Sequence, residues 1–113
     1  MRQSQQLANE SVATTTISAF ELFFGAQSSV KRVENLKAVE ELVQTFPVYP
    51  LSIEAAFIAG KVHHALVTKG EIIELNDLYI ASIVLSLDGI LATNNLQHFE
   101  RIEGLKLYQF TDS

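Results

Sequence analysis

Three observations predict an α/β fold with a mainly parallel sheet for this chain. Short β-branched runs, VATTT and ILAT, alternate with longer segments whose apolar residues recur at helical spacing. The helical segments open or close on boundary residues such as Ser52, Pro47 and Gly70. The 113 residues, 48 % of them hydrophobic, supply material for one small core.

The elements follow in order. Residues 1–10 read as helix, since Gln and Leu are good helix formers, with Asn9 able to end the turn. Val12–Thr16 is β-branched and reads as a strand. Ser18 begins a helix through Phe24 that Gly25 closes. From Val30 to Val43, Val33, Leu36, Val39, Leu42 and Val43 keep a helical period until Pro47 stops it. Val48–Leu51 is a short extended edge. Ser52 caps the next helix, Glu54 sits in its first turn, and Lys69–Gly70 ends it. Asn76–Asp77 opens a helix to about Leu87, and Asp88–Gly89 turns into the buried-looking strand Ile90–Thr93. The polar stretch NNLQHFERI allows one helical turn, and Leu105–Phe110 is the last strand.

Composition narrows the function. No apolar run approaches the roughly 20 residues that span a bilayer, and MRQSQQLANES lacks the apolar stretch of a signal peptide. With no cysteine there is no disulfide framework and no thiolate metal site, so a cytoplasmic location is the expectation. The net charge of −5 argues against passive nucleic-acid binding, which uses a basic surface. It leaves room for an enzyme that gathers carboxylates around a cation, because bound metal reverses the local sign.

In parallel α/β sheets, active groups collect beyond the C-terminal ends of the strands. Four places fit: Ser18–Glu21, Ser52–Glu54, Asn76–Asp77 and Asn94–His98. Glu21 stands in the apolar run ISAFELFFGA, where an unpaired buried charge would be costly. One answer is structural: Ser18-x-x-Glu21 reads as a capping box, contributing on the order of 1 kcal/mol. The other is chemical, because a carboxylate fixed near a helix start is an oriented ligand. Of Asn76 and Asp77 only one can cap the helix, which leaves the other available. His63 and His64 are adjacent and do not share a helix face, while His98 reads first as a surface histidine. No Walker loop, dinucleotide glycine fingerprint or nucleophile elbow is present. Carboxylates at separate strand ends suit a hard divalent cation, which takes oxygen ligands and keeps several waters.

Three segments resemble the PIN domains of VapC-type toxins. VATTTISAFELFFGA is similar to that family's second strand and helix, with its glutamate at Glu21. PVYPLSIEAAFIAGKVHHALVTKG resembles the third strand and long helix. LNDLYIASIVLSLDGILATNNLQHFERIEGLKL resembles the C-terminal third, with its Asp-x-x-Ile-Ala helix and Thr-Asn-Asn strand end. The resemblance implies a three-layer α/β/α domain over residues 1–113 and an Mg²⁺- or Mn²⁺-dependent endoribonuclease. It further implies an RNA substrate, a small antitoxin partner and homo-oligomers, with no membrane. Glu21 and Asp77 match two of the family's metal-binding, catalytic acids. A fourth acid falls within Thr93–Phe99, where this chain offers Asn94, Asn95 and His98 as metal or substrate contacts and no carboxylate.

The family's first strand and its aspartate have no counterpart here, so the expected domain is N-terminally incomplete and a poor ribonuclease by itself. Its exposed strand edges and apolar faces would favour self-association. Lys31, Arg32 and Lys37 are candidates for a local RNA-binding patch, or simply a solvated helix face. The alternative expectation is an inactive PIN-like module that binds an antitoxin or its own copy, and a third is an unrelated acidic α/β binding protein.

Overall fold

Strands and helices alternate along the computed structural model, which describes residues 12–109. The order is β1 (Thr14–Thr15), α1 (Thr16–Gln27), α2 (Arg32–Thr45), β2 (Val48–Tyr49), α3 (Ile53–Thr68), α4 (Leu75–Ser86), β3 (Ile90–Ala92), α5 (Leu96–Phe99) and β4 (Lys106–Tyr108). The fold is the α/β class expected. Both strand pairs are parallel: Thr14 stands opposite Val48 and Thr15 opposite Tyr49, while Ile90, Leu91 and Ala92 face Lys106, Leu107 and Tyr108. The chain divides into two compact units, Met1–Pro50 and Leu51–Ser113, each holding one pair. The helix expected over 1–10 lies outside the described residues, as does Phe110 of the last strand.

In the first unit the strand is shorter and the helix starts earlier than the sequence suggested. Thr15, 7 % exposed, ends β1 and caps α1. Its Oγ1 accepts the Ser18 N–H at 2.9 Å, and its own hydroxyl donates to Ser18 Oγ at 3.1 Å. Ser18 is therefore the third helical residue, and the proposed Ser18–Glu21 capping box does not form. Gly25 does not end α1 either. The helix runs on to Gln27 because Ala26 is buried behind it, and the end is closed by Ser28, whose N–H and hydroxyl both reach the Phe24 carbonyl. Along α1 the buried Ala19 and Ala26 and the half-buried Phe23 share one face; α1 packs against α2, whose buried residue is Val39. α2 starts at Arg32 and reaches Thr45, where the Phe46 N–H still bonds Leu42 and Pro47 ends it. β2 stops at Tyr49 because Pro50 has no N–H for a ladder.

The second unit follows its expected boundaries more closely. Ser52 Oγ accepts the Ala55 N–H at 3.1 Å and caps α3, and Gly70 beyond its end takes φ +75, which suits glycine. α4 departs from expectation. Its N-cap is Glu74, in extended conformation and making no side-chain capping bond, so neither Asn76 nor Asp77 caps the helix. At the other end Asp88 takes φ +53. β3 is not buried along its length: Ile90 and Ala92 are exposed and Leu91 is half-buried. The single helical turn in NNLQHFERI is present as α5.

The core of this unit is a cluster of Ala59, Leu66, Ile73, Leu78, Ala81, Phe99 and Ile102, with Val62, Leu91 and Leu107 against it. α4 carries an almost continuous buried stretch, Leu78 and Ile80–Ile83, where Ser82 satisfies its hydroxyl on the Leu78 carbonyl at 2.7 Å. Among the described residues no helix is long and apolar enough to cross a membrane.

Thr15 serves strand and helix together, so its loss is informative. Thr15→Ala is expected to lower stability by about 1–2 kcal/mol in chemical denaturation, and Thr15→Ser by much less. An unchanged midpoint for Thr15→Ala would place the cap elsewhere.

Candidate metal centre

Asp77 occupies the third position of α4, one residue before Leu78, which is 1 % exposed. That neighbour holds the helix start against the core, and the Asp77 side chain retains 18 % of its exposure. His98 lies on α5, one residue before Phe99, which is 5 % exposed. The two anchors bring the polar partners together across 21 residues of sequence: His98 Nδ1 lies 3.1 Å from Asp77 Oδ2. The imidazole remains 54 % exposed. A pair this open contributes about 0–1 kcal/mol, so core packing holds α5 in place, and the pair follows from that placement.

Beside it is an open cleft of about 560 Å³ lined by Asn94, Asn95, Leu96, Gln97, His98, Glu100 and Gln109. The Asn95 N–H donates to Thr93 Oγ1 at 2.9 Å, and its carbonyl receives the His98 N–H at 3.0 Å, so the turn after β3 is internally tied. The expected contacts Asn94, Asn95 and His98 thus line one cleft. Gln97 and Gln109 join them, though nothing in the linear pattern distinguished either glutamine.

Glu21 belongs to the other unit. It lies in the second turn of α1, exposed, on the side away from Ala19 and Ala26. Around it Phe20, Leu22 and Phe24 are also exposed, and the Phe20 and Phe24 rings stand 6.4 Å apart. With Thr15 as the cap, helix capping no longer accounts for Glu21. His63 is half-buried and His64 exposed in the interior of α3.

The donor set decides whether a divalent cation suits the second unit. Among the described residues no three His, Asp or Glu side chains gather as a metal cage. Two donors do meet, the Asp77 carboxylate and the His98 imidazole. A hard ion such as Mg²⁺ binds through one or two carboxylates and keeps several waters, and of these two donors only Asp77 supplies a carboxylate.

The PIN domain family model matches residues 1–105. Over 110 residues the chain is 33 % identical to Ribonuclease VapC1 of Haemophilus influenzae strain R2866, covering 97 % of this chain and 82 % of that protein. It is 30 % identical over 107 residues to the tRNA(fMet)-specific endonuclease VapC of Salmonella typhimurium, covering 95 % and 81 %. The crystal structure of VapBC2 from Rickettsia felis, bound to a DNA fragment from their promoter, superposes with a TM-score of 0.87 at 29 % identity, covering 97 % of this chain and 83 % of that one. The fold thus recurs in a solved toxin–antitoxin complex. The chain belongs to the PIN domain family, where its relatives are VapC ribonucleases.

Two substitutions separate anchor from pair. Phe99→Ala should cost about 3–5 kcal/mol in denaturant titration, because a large buried ring is lost. His98→Ala should cost less than about 1 kcal/mol. Equal losses would mean that the pair, and not the core, holds α5.

Proposed function

We propose that this chain is a metal-dependent endoribonuclease, the toxin of a toxin–antitoxin pair, with Glu21 and Asp77 as its matched metal-binding and catalytic acids. The supporting observation is the likeness to VapC ribonucleases over nearly the whole chain, together with an Asp77 carboxylate seated by the core at a helix start. A divalent ion, Mg²⁺ or Mn²⁺, would supply a hydroxide near neutral pH and offset charge on the phosphodiester. The chain's own residues do the rest. Asp77 presents a carboxylate that backbone packing holds in place, and Asn94, Asn95 and His98 line the cleft where an RNA strand would be positioned. Because the net charge is −5, RNA has to be held locally. Lys31 and Arg32, exposed beside an open cleft of about 540 Å³, and Lys37 are candidates for that grip.

The natural partner is a small antitoxin protein, since the similar solved structures are VapBC complexes. A second copy of this chain is a further partner, with Phe20, Phe24, Ile53 and Phe57 exposed. An enzyme that cleaves RNA would act in the cytoplasm. The second reading is an inactive module that binds antitoxin without catalysis. It is favoured by one observation: only two donors converge among the described residues.

Purified full chain is to be incubated with tRNA, including tRNA(fMet), in Mg²⁺, Mn²⁺ or EDTA. Slow cleavage that EDTA abolishes and that falls about 100-fold or more in Asp77→Asn is expected, since outer-shell losses alone cost 10–100-fold at metal sites. Glu21→Gln should keep metal-free stability within about 1 kcal/mol of the parent yet lose the Mn²⁺-induced rise in melting temperature. Absence of cleavage in every metal, with antitoxin still bound, would leave the inactive module as the function.

A further inference from the structure

The cleft after β3 has a lining that a cation does not explain. The carboxamides of Asn94, Asn95, Gln97 and Gln109 share it with Glu100, and among the described residues no lysine or arginine lines it. Its place follows from the parallel pairing of β3 and β4. The Thr93 N–H donates to the Tyr108 carbonyl at 3.0 Å, so the two strands end together. The residues just beyond them, Asn94, Asn95 and Gln109, therefore meet at one rim, where ligands of parallel sheets collect. The turn already engages the Asn95 main chain, its N–H on Thr93 Oγ1 and its carbonyl with the His98 N–H. Side chains are what remains for a ligand. Among the described residues the amides of Asn95, Gln97 and Gln109 and the Glu100 carboxylate take no protein partner, and all four residues are exposed.

This chemistry fits a nucleobase better than a phosphate. A phosphate is held by Arg, Lys or converging N–H groups, and here it would face the Glu100 carboxylate. A base is neutral and carries donors and acceptors along its edge. Asn and Gln amides match the amino group and ring nitrogen of adenine together, and a carboxylate accepts from the amino group of cytosine. Unpaired bases of RNA are read on these edges and stack on rings such as histidine. The His98 ring lines the cleft and is 54 % exposed, and the half-buried Leu96 adds apolar contact. An amide can turn to present either its donor or its acceptor, whereas an ionised carboxylate only accepts. Glu100 therefore decides. It attracts an exocyclic amino group and repels the keto oxygen that guanine and uracil carry in its place.

We propose that this cleft receives an unpaired RNA base bearing an exocyclic amino group, adenine or cytosine, and that Glu100 is the residue that selects it. The inference rests on the reading of the chain as a ribonuclease and deepens it by naming the base class beside the site.

The test titrates the metal-free full chain with adenosine, cytidine, uridine or inosine up to their solubility limits, following side-chain amide resonances. These probes carry no phosphate, and inosine differs from adenosine by a keto oxygen in place of the amino group. Adenosine and cytidine should bind about fivefold or more tightly than inosine and uridine. They should shift the amide signals of Asn95, Gln97 and Gln109 before those of Gln27 and Gln44. Glu100→Gln, which keeps the shape and restores donors, should bring the four nucleosides within about twofold of one another. Cleavage of tRNA in Mn²⁺ is measured in parallel. If tRNA is cleaved but the nucleosides bind alike, shift no amide of the cleft, or keep their order in Glu100→Gln, the base inference falls with the ribonuclease reading intact. If the order and its loss in Glu100→Gln are both seen and no RNA is cleaved in any metal, the base site stands and the ribonuclease reading falls.

Discussion

The apolar cluster that joins Phe99 and Ile102 to Leu66, Leu78 and Ala81 is the constraint on which the polar site of the second unit depends. Asp77 and His98 each precede a buried member of that cluster by one residue. The backbone positions are therefore set by hydrophobic burial, which is strong and non-directional. The 3.1 Å contact between the side chains is a weak directional consequence. Such a division suits a binding site. The scaffold's stability does not rest on the groups that a ligand would engage, so those groups can exchange partners at little cost.

The first unit uses a different device. Thr15 is at once the last residue of a parallel strand and the cap of the helix that follows, and its burial ties the two roles together. Its hydroxyl oxygen satisfies an N–H that the helix start would otherwise leave unpaired. Glu21 follows from this start. Six residues beyond the cap, it falls on the face opposite Ala19, exposed among Phe20, Leu22 and Phe24.

Apolar exposure is the other shared property of the two units. Phe20 and Phe24 stand open on α1, and Ile53 and Phe57 repeat the same four-residue spacing on α3. Scattered apolar residues are ordinary on protein surfaces, but paired positions one helical turn apart form stripes. Stripes of this kind are larger apolar exposures than single residues make.

Local signals in the sequence determined much of this protein. The alternation of β-branched runs with helical periods specified the α/β class, because burial period is a local property of each segment. Ser52 as a cap, Gly70 as a helix end and the single turn in NNLQHFERI were equally legible, each resting on contacts within a few residues. The family was legible in the order of VATTTISAFELFFGA, the long third-helix segment and LNDLYIASIVLSL. Other features depended on neighbours that no linear pattern reveals. Ser18 looked like the cap, with Thr15 read inside the strand, and the end of the strand pairing at Thr15 gave Thr15 that role instead. Asn76 and Asp77 looked like caps, yet extended backbone at Glu74 moved the start two residues earlier. His98 looked like a surface histidine and is one, yet burial of Leu78 and Phe99 also lays it against Asp77. That pairing spans 21 residues and is set by shape-complementary packing, which depends on the whole cluster and is written in no single segment.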